Sequence, residues 1–167
     1  RAVWDARIAP LGAANFGVDG DGTEHLLWRI QNSGLGTRFK PRLAALLIGI
    51  NDIGAGFLPN DVVLGLTDCV RAIRSQSPET KVLILGVFPS AQRGDDGVRE
   101  TIRAVNKGYA ALADGQHVYF ADIGGVFLER DGSIASSTMV DFLHLTAKGY
   151  GLYARELVPV VCAVLTK

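Results

Sequence analysis

Leu43-Ala44-Ala45-Leu46-Leu47-Ile48-Gly49-Ile50 is a continuous apolar run, entered through Pro41-Arg42 and left through Asn51-Asp52. A strand with one wet face alternates apolar and polar side chains. This one does not alternate, so both of its faces must be covered, as in a parallel sheet packed between helices. Lys81–Phe88 repeats the pattern and is stopped by Pro89, and Val118–Ile123 repeats it again. Ala13–Val18 reads as a shorter buried strand ahead of them.

Helical periods fill the intervals. Thr23–Asn32 places Leu26, Leu27 and Ile30 on one face, and Ser33-Gly34-Leu35-Gly36 ends it with glycines suited to a left-handed cap. Pro59-Asn60-Asp61 opens a helix with Val63, Leu66, Val70 and Ile73 inward, closed at Ser77-Pro78. Ser90–Gly97 is a polar loop. Val98, Ile102, Val105, Tyr109 and Leu112 then recur at helical spacing, as do Tyr153, Leu157, Val161 and Val164 in a tail that is helical from Thr146. Strands alternating with helices predict an α/β chain, a three-layer α/β/α sandwich on a parallel, flavodoxin-like sheet. No repeat or linker interrupts it, so residues 1–167 read as one domain.

Composition narrows the function classes. The 167 residues can bury a core without staples. Seventeen basic residues balance seventeen acidic ones, which gives no footprint for nucleic acid. The longest apolar runs, Leu43–Ile50 and Val158–Leu165, are too short for a transmembrane segment. Cys69 and Cys162 lie in apolar-periodic helices and read as buried free thiols. The first residue is Arg1 rather than Met, so any export signal would precede it and the compartment is left open.

Open parallel sheets carry their sites at the carboxyl ends of the strands. Three unusual segments fall there: Asn15-Phe16-Gly17-Val18-Asp19-Gly20-Asp21, Gly49-Ile50-Asn51-Asp52, and Asp141-Phe142-Leu143-His144. Asp141 can hold one ring nitrogen of His144 and leave the other as a general base. The side-chain amide of Asn51 and the bare backbone N–H of Gly20 can donate to a developing oxyanion. Taken singly, each has a plainer reading: a turn glycine, a helix cap, a surface histidine. Asp19-Gly20-Asp21-Gly22 is not a calcium loop, because Glu24 occupies the place of the turn glycine. Arg93-Gly94-Asp95 reads as a chance tripeptide in a polar loop. No phosphate-binding glycine pattern opens a helix, which argues against a nucleotide cofactor, and neither His25 nor His117 has a partner at metal-ligand spacing.

Taken together these residues resemble the SGNH (GDSL-type) hydrolases, most closely the branch of the platelet-activating-factor acetylhydrolase catalytic subunits. The stretches that carry the resemblance are Asn15–Val18 with His25-Leu26-Leu27-Trp28-Arg29, Asp131-Gly132-Ser133-Ile134, and Asp141–Thr146 with Gly149-Tyr150. It covers nearly the whole chain. It implies that Gly20 and Asn51 line the oxyanion hole, that His144 is the base and that Asp141 orients it. It further implies hydrolysis of a small-molecule acyl ester, an acetylated carbohydrate or a short-chain lipid ester, through an acyl-serine, with no cofactor and no metal. Its dimeric members imply a homodimer.

One block of the family pattern has no counterpart. The Gly-Asp-Ser that supplies the nucleophile from a first strand is absent, and by the family's spacing it would lie a few residues before Arg1. Ser33, Ser75, Ser77, Ser90, Ser133, Ser136 and Ser137 all fall in loops or at helix ends, so there is no nucleophile in the chain. The expectation is a domain lacking the family's usual first strand and N-terminally incomplete, a serine esterase without its serine. The alternatives are a non-catalytic binding module that keeps the pocket and, more distantly, a flavodoxin-like signalling or cofactor domain. Gly54-Ala55-Gly56-Phe57-Leu58 and the Ser90–Gly97 loop are expected to border the pocket.

Overall fold

The computed structural model describes residues 2–167. Three parallel strands, β1 (Leu43–Leu46), β2 (Lys81–Leu85) and β3 (Val118–Ala121), form a sheet in the order β1-β2-β3. Leu43 stands opposite Lys81 and Val82 opposite Val118. The middle strand explains its own composition: Val82, Leu83, Ile84 and Leu85 are all fully buried, because helices cover both faces.

One face carries α1 (Thr23–Asn32), α3 (Pro59–Gln76) and α4 (Gly97–Ala110). Their inward residues Ile30, Leu66, Val70, Ile73, Ile102 and Val105 meet Val82 and Ile84 from the sheet. The other face carries α5 (Ala147–Thr166) and the helical turns Trp4–Ile8 and Ala9–Leu11. There Ile8, Ala154, Leu157 and Val161 meet Leu83 and Leu85. Alternate residues of β2 thus serve opposite cores, the period-two geometry of a strand applied to two hydrophobic layers. A third, smaller cluster of Phe127, Ile134 and Met139 lies apart from both. The α/β/α sandwich is present, on three strands.

Ala13–Val18 is the correction. The segment is irregular and exposed, with Phe16 60% and Val18 56% accessible. A short apolar stretch becomes a strand only beside a neighbour that completes its hydrogen-bond ladder, and among the described residues none stands next to it. Local contacts hold it instead: Gly17 N–H donates to Asn15 Oδ1 at 2.8 Å, and Phe16 stacks on Phe39 at 5.3 Å. The paired strands are also shorter than the apolar runs. Leu47–Gly49 and Gly86–Phe88 continue past the last paired residues toward the rim.

The thiols differ from expectation too. Both are free, but only Cys69 is buried, its pKa pushed up to about 12 chiefly by desolvation. Cys162 faces outward on α5, because it follows Val161, which takes the inward position.

Candidate active site

Beyond β1 the chain must turn sharply into α2 (Ile50–Gly54), and Gly49 makes that turn with φ +113°. A Cβ there would stand 2.6 Å from Tyr109 Oη, so both conformation and space demand glycine. The turn buries Asp52 and leaves Asn51 outside. Asp52 Oδ1 accepts from Thr23 N–H at 3.0 Å and from Thr23 Oγ1–H at 2.7 Å, fastening α2 to the start of α1.

Asn51 Nδ2 donates to the Asp21 carbonyl at 2.8 Å, which joins the second predicted segment to the first. Asp21 is itself ion-paired with Arg29 of α1, and Arg29 also donates to the Phe16 carbonyl. Gly20 lies within the loop so held, at φ +79°. A Cβ on it would meet nothing within 4 Å, so the requirement for glycine there is conformational. Among the described residues no hydrogen bond engages its N–H.

The third segment is the tip of a small hairpin. Met139 bridges Leu145, and Val140 N–H donates to the His144 carbonyl at 3.1 Å. At the tip, Asp141 Oδ1 accepts from Leu143 N–H at 3.1 Å and His144 N–H at 2.7 Å, while Oδ2 lies 2.6 Å from His144 Nδ1. These donors hold the Asp141 carboxyl down at about 2, the His144 backbone N–H contributing most. Asp141 in turn raises the His144 pKa above its ordinary value, with a further contribution from Asp19. The influence of Asp19 brings the first and third segments within electrostatic reach of each other.

The tautomer follows from this geometry. An ionised carboxylate only accepts, so Nδ1 must donate, and a neutral His144 therefore offers its lone pair at Nε2. Among the described residues nothing hydrogen-bonds to Nε2. Four of the seven serines have partners elsewhere: the Ser33 hydroxyl donates to Ile30 O, Ser77 pairs with Thr80, Ser133 with Asp131, and Ser137 with Lys148. None of them bonds to His144.

A cavity of about 550 Å³ lies to one side, lined by Val3, Trp4, Ile8, Asn15, Tyr150 and Tyr153. It touches the first turn of α5 but not Gly20, Asn51 or His144. Sequence reasoning named four candidate residues, Gly20, Asn51, Asp141 and His144, and gave no role to three neighbours in the same segments: Asp52, Asp19 and Phe142. For Asp52 a signal existed, a carboxylate in the first turn of a helix that leaves an apolar strand. Its partner Thr23 lies 29 positions away and could not be read.

An open parallel α/β sheet with a carboxylate–imidazole pair and two candidate oxyanion donors near its rim defines a hydrolase-like class of domain. The match to the GDSL-like lipase/acylhydrolase family model over residues 2–152 is more specific, and the chain belongs to that family. It is 35% identical over 156 residues to the platelet-activating factor acetylhydrolase IB subunit alpha1 of Homo sapiens, covering 93% of this chain and 66% of that one. The chain spans about two thirds of the length of the curated relatives it matches. Among solved structures, a GDSL-like lipase from Bacteroides thetaiotaomicron superposes with a TM-score of 0.77 at 16% identity, over 96% of this chain and 82% of the other. A variant of an acetylxylan esterase from Geobacillus stearothermophilus gives 0.74 at 18%, over 95% and 76%. At those identities the two structures speak for the fold alone.

Proposed function

We propose that this chain carries the base and the oxyanion donors of a serine ester hydrolase, and that the nucleophile comes from a strand-borne serine outside these 167 residues. The observation that carries the reading is the Asp141–His144 pair, with its tautomer fixed and Nε2 open. In the proposed reaction the serine hydroxyl gives its proton to His144 Nε2 as its oxygen attacks the ester carbonyl. The oxyanion takes hydrogen bonds from Gly20 N–H and Asn51 Nδ2. His144 returns the proton to the leaving alcohol, and water then cleaves the acyl-serine by the same route. No cofactor is needed.

Among the described residues β1 pairs only with β2, and its outer edge supports the second half of the reading, since a strand docking there would end near the rim beside Asn51. Family membership supports an ester as substrate. Relatives described as acetylhydrolases of platelet-activating factor and as acetylxylan esterases frame the two candidate classes, short-chain lipid esters and acetylated carbohydrates.

The test compares p-nitrophenyl acetate hydrolysis by residues 1–167 with hydrolysis by the same chain extended upstream in its own reading frame. Activity is expected only in the extended protein and should vanish in His144→Ala. An upstream sequence without a serine at the end of a strand, or equal rates from both chains, would sink the proposal. Acetylated xylo-oligosaccharide and a short-chain phospholipid ester, offered in parallel, then separate the substrate classes.

A further inference from the structure

Phe142 occupies the left-handed region at φ +60°, one of two non-glycine residues to do so among those described, the other being Ala91. That conformation crowds the Cβ of an L residue, and glycine or asparagine adopts it more readily. A bulky aromatic is therefore out of place at the tip of an exposed hairpin unless its ring has a task. The ring packs on the Phe127–Ile134–Met139 cluster, whose members are at most 2% exposed. The Phe142 N–H is also tied, to the Met139 carbonyl at 3.2 Å.

The consequence is geometric. The reversal at Phe142 turns both following N–H groups onto Asp141 Oδ1 and brings the imidazole of His144 to Oδ2. Asp141 and His144 are themselves largely exposed, with side chains 51% and 66% accessible, so burial does not fix their mutual position. Within Asp141–His144, the half-buried ring of Phe142 is what reaches the buried cluster.

We propose that Phe142 is the positioning residue of the Asp141–His144 pair: its ring, seated in the buried cluster, holds a left-handed turn that keeps the imidazole on the carboxylate. This rests on the reading of His144 as the base, but it is tested without any ester.

The experiment follows the His144 ring protons by NMR through a pH titration of the 167-residue chain and of F142A, F142G and F142L. The groups facing this imidazole are Asp141 and Asp19, and neither is altered in these variants. In the unaltered chain His144 titrates above its ordinary 6.5. In F142A and F142G it should fall back toward 6.5, while F142L, which keeps an apolar anchor, should retain most of the elevation.

F142G separates ring from backbone, because glycine adopts the turn freely but seats nothing in the cluster. If F142G or F142A folds and His144 titrates as in the parent, the proposal is overturned. Should neither fold, hydrogen exchange in the unaltered chain decides. Protection of Leu143 and His144 N–H matching that of Met139 supports an anchored turn, and exchange at the free-chain rate overturns it. Loss of the elevation in chains whose extended forms hydrolyse no ester would keep the positioning role and sink the hydrolase. An unmoved His144 in an active esterase would do the reverse.

Discussion

Asp141 receives two backbone N–H groups and an imidazole, so it is ionised far below neutrality and fixes both the charge and the tautomer of His144. The two partners contribute to stability in opposite pH windows. With its pKa lowered from an ordinary 3.8 to about 2, Asp141 adds stability that is complete above 3.8 and lost as the pH falls toward 2. With its pKa raised, His144 adds stability that is complete below 6.5 and lost as the pH rises through its folded value. Both side chains are exposed, so the effect on unfolding is small and screened by salt. Under the proposed mechanism its effect on catalysis is larger, because a base at His144 would work only when neutral. In the extended enzyme, kcat/KM should rise with pH along a limb set by His144, above 6.5. Asp141→Asn should move that limb toward lower pH and cut kcat by about 10²–10⁴-fold. A limb that stays in place in the Asn variant would show that Asp141 does not act on His144. The pair was legible in sequence because both partners sit in one turn. The conformation of Phe142 was not, because it depends on a cluster assembled from Phe127, Ile134 and Met139.

Between elements, the decisive contact is that of Asp52 with Thr23. The helix α2 is a five-residue turn with little propensity of its own, yet it carries Asn51. What holds it is a buried carboxylate accepting the N–H and hydroxyl at the start of α1, which also bears the Arg29 that organises the Gly20 loop. Asp52→Ala leaves two buried donors without a partner, which should cost roughly 2–5 kcal/mol of stability. The measurement is the urea midpoint of unfolding. Asp52→Asn keeps an accepting oxygen and should cost less, and an unchanged midpoint in the alanine variant would contradict the role. Local sequence sufficed for α1, α3, α4 and α5, each of which shows its apolar face in its own spacing. It failed over Ala13–Val18, where six residues have the composition of a strand but a strand needs a neighbour, and composition does not report neighbours.

At the scale of the molecule, the β1 edge of the sheet invites association. The strand β1 pairs only with β2 among the described residues, and Ala45 and Leu47 along and just beyond it are exposed. Free strand edges recruit other chains unless charge or cover blunts them, and β1 bears no charged residue. The chain as a whole offers little repulsion, with seventeen charges of each sign. Residues 1–167 should therefore self-associate near pH 7, with sedimentation velocity showing a concentration-dependent series of sizes. A homodimer of the kind implied by the family resemblance would behave differently, giving one discrete species that saturates. Ala45→Lys places a charge on the edge and should shift the series back toward monomer while leaving a closed dimer intact. The upstream extension, if it supplies a strand to β1, should suppress the series as the lysine does and restore hydrolysis in the same protein. If residues 1–167 remain monomeric at every accessible concentration, the edge is not open in solution. The docking strand, and with it the proposed source of the nucleophile, would then have no place to bind.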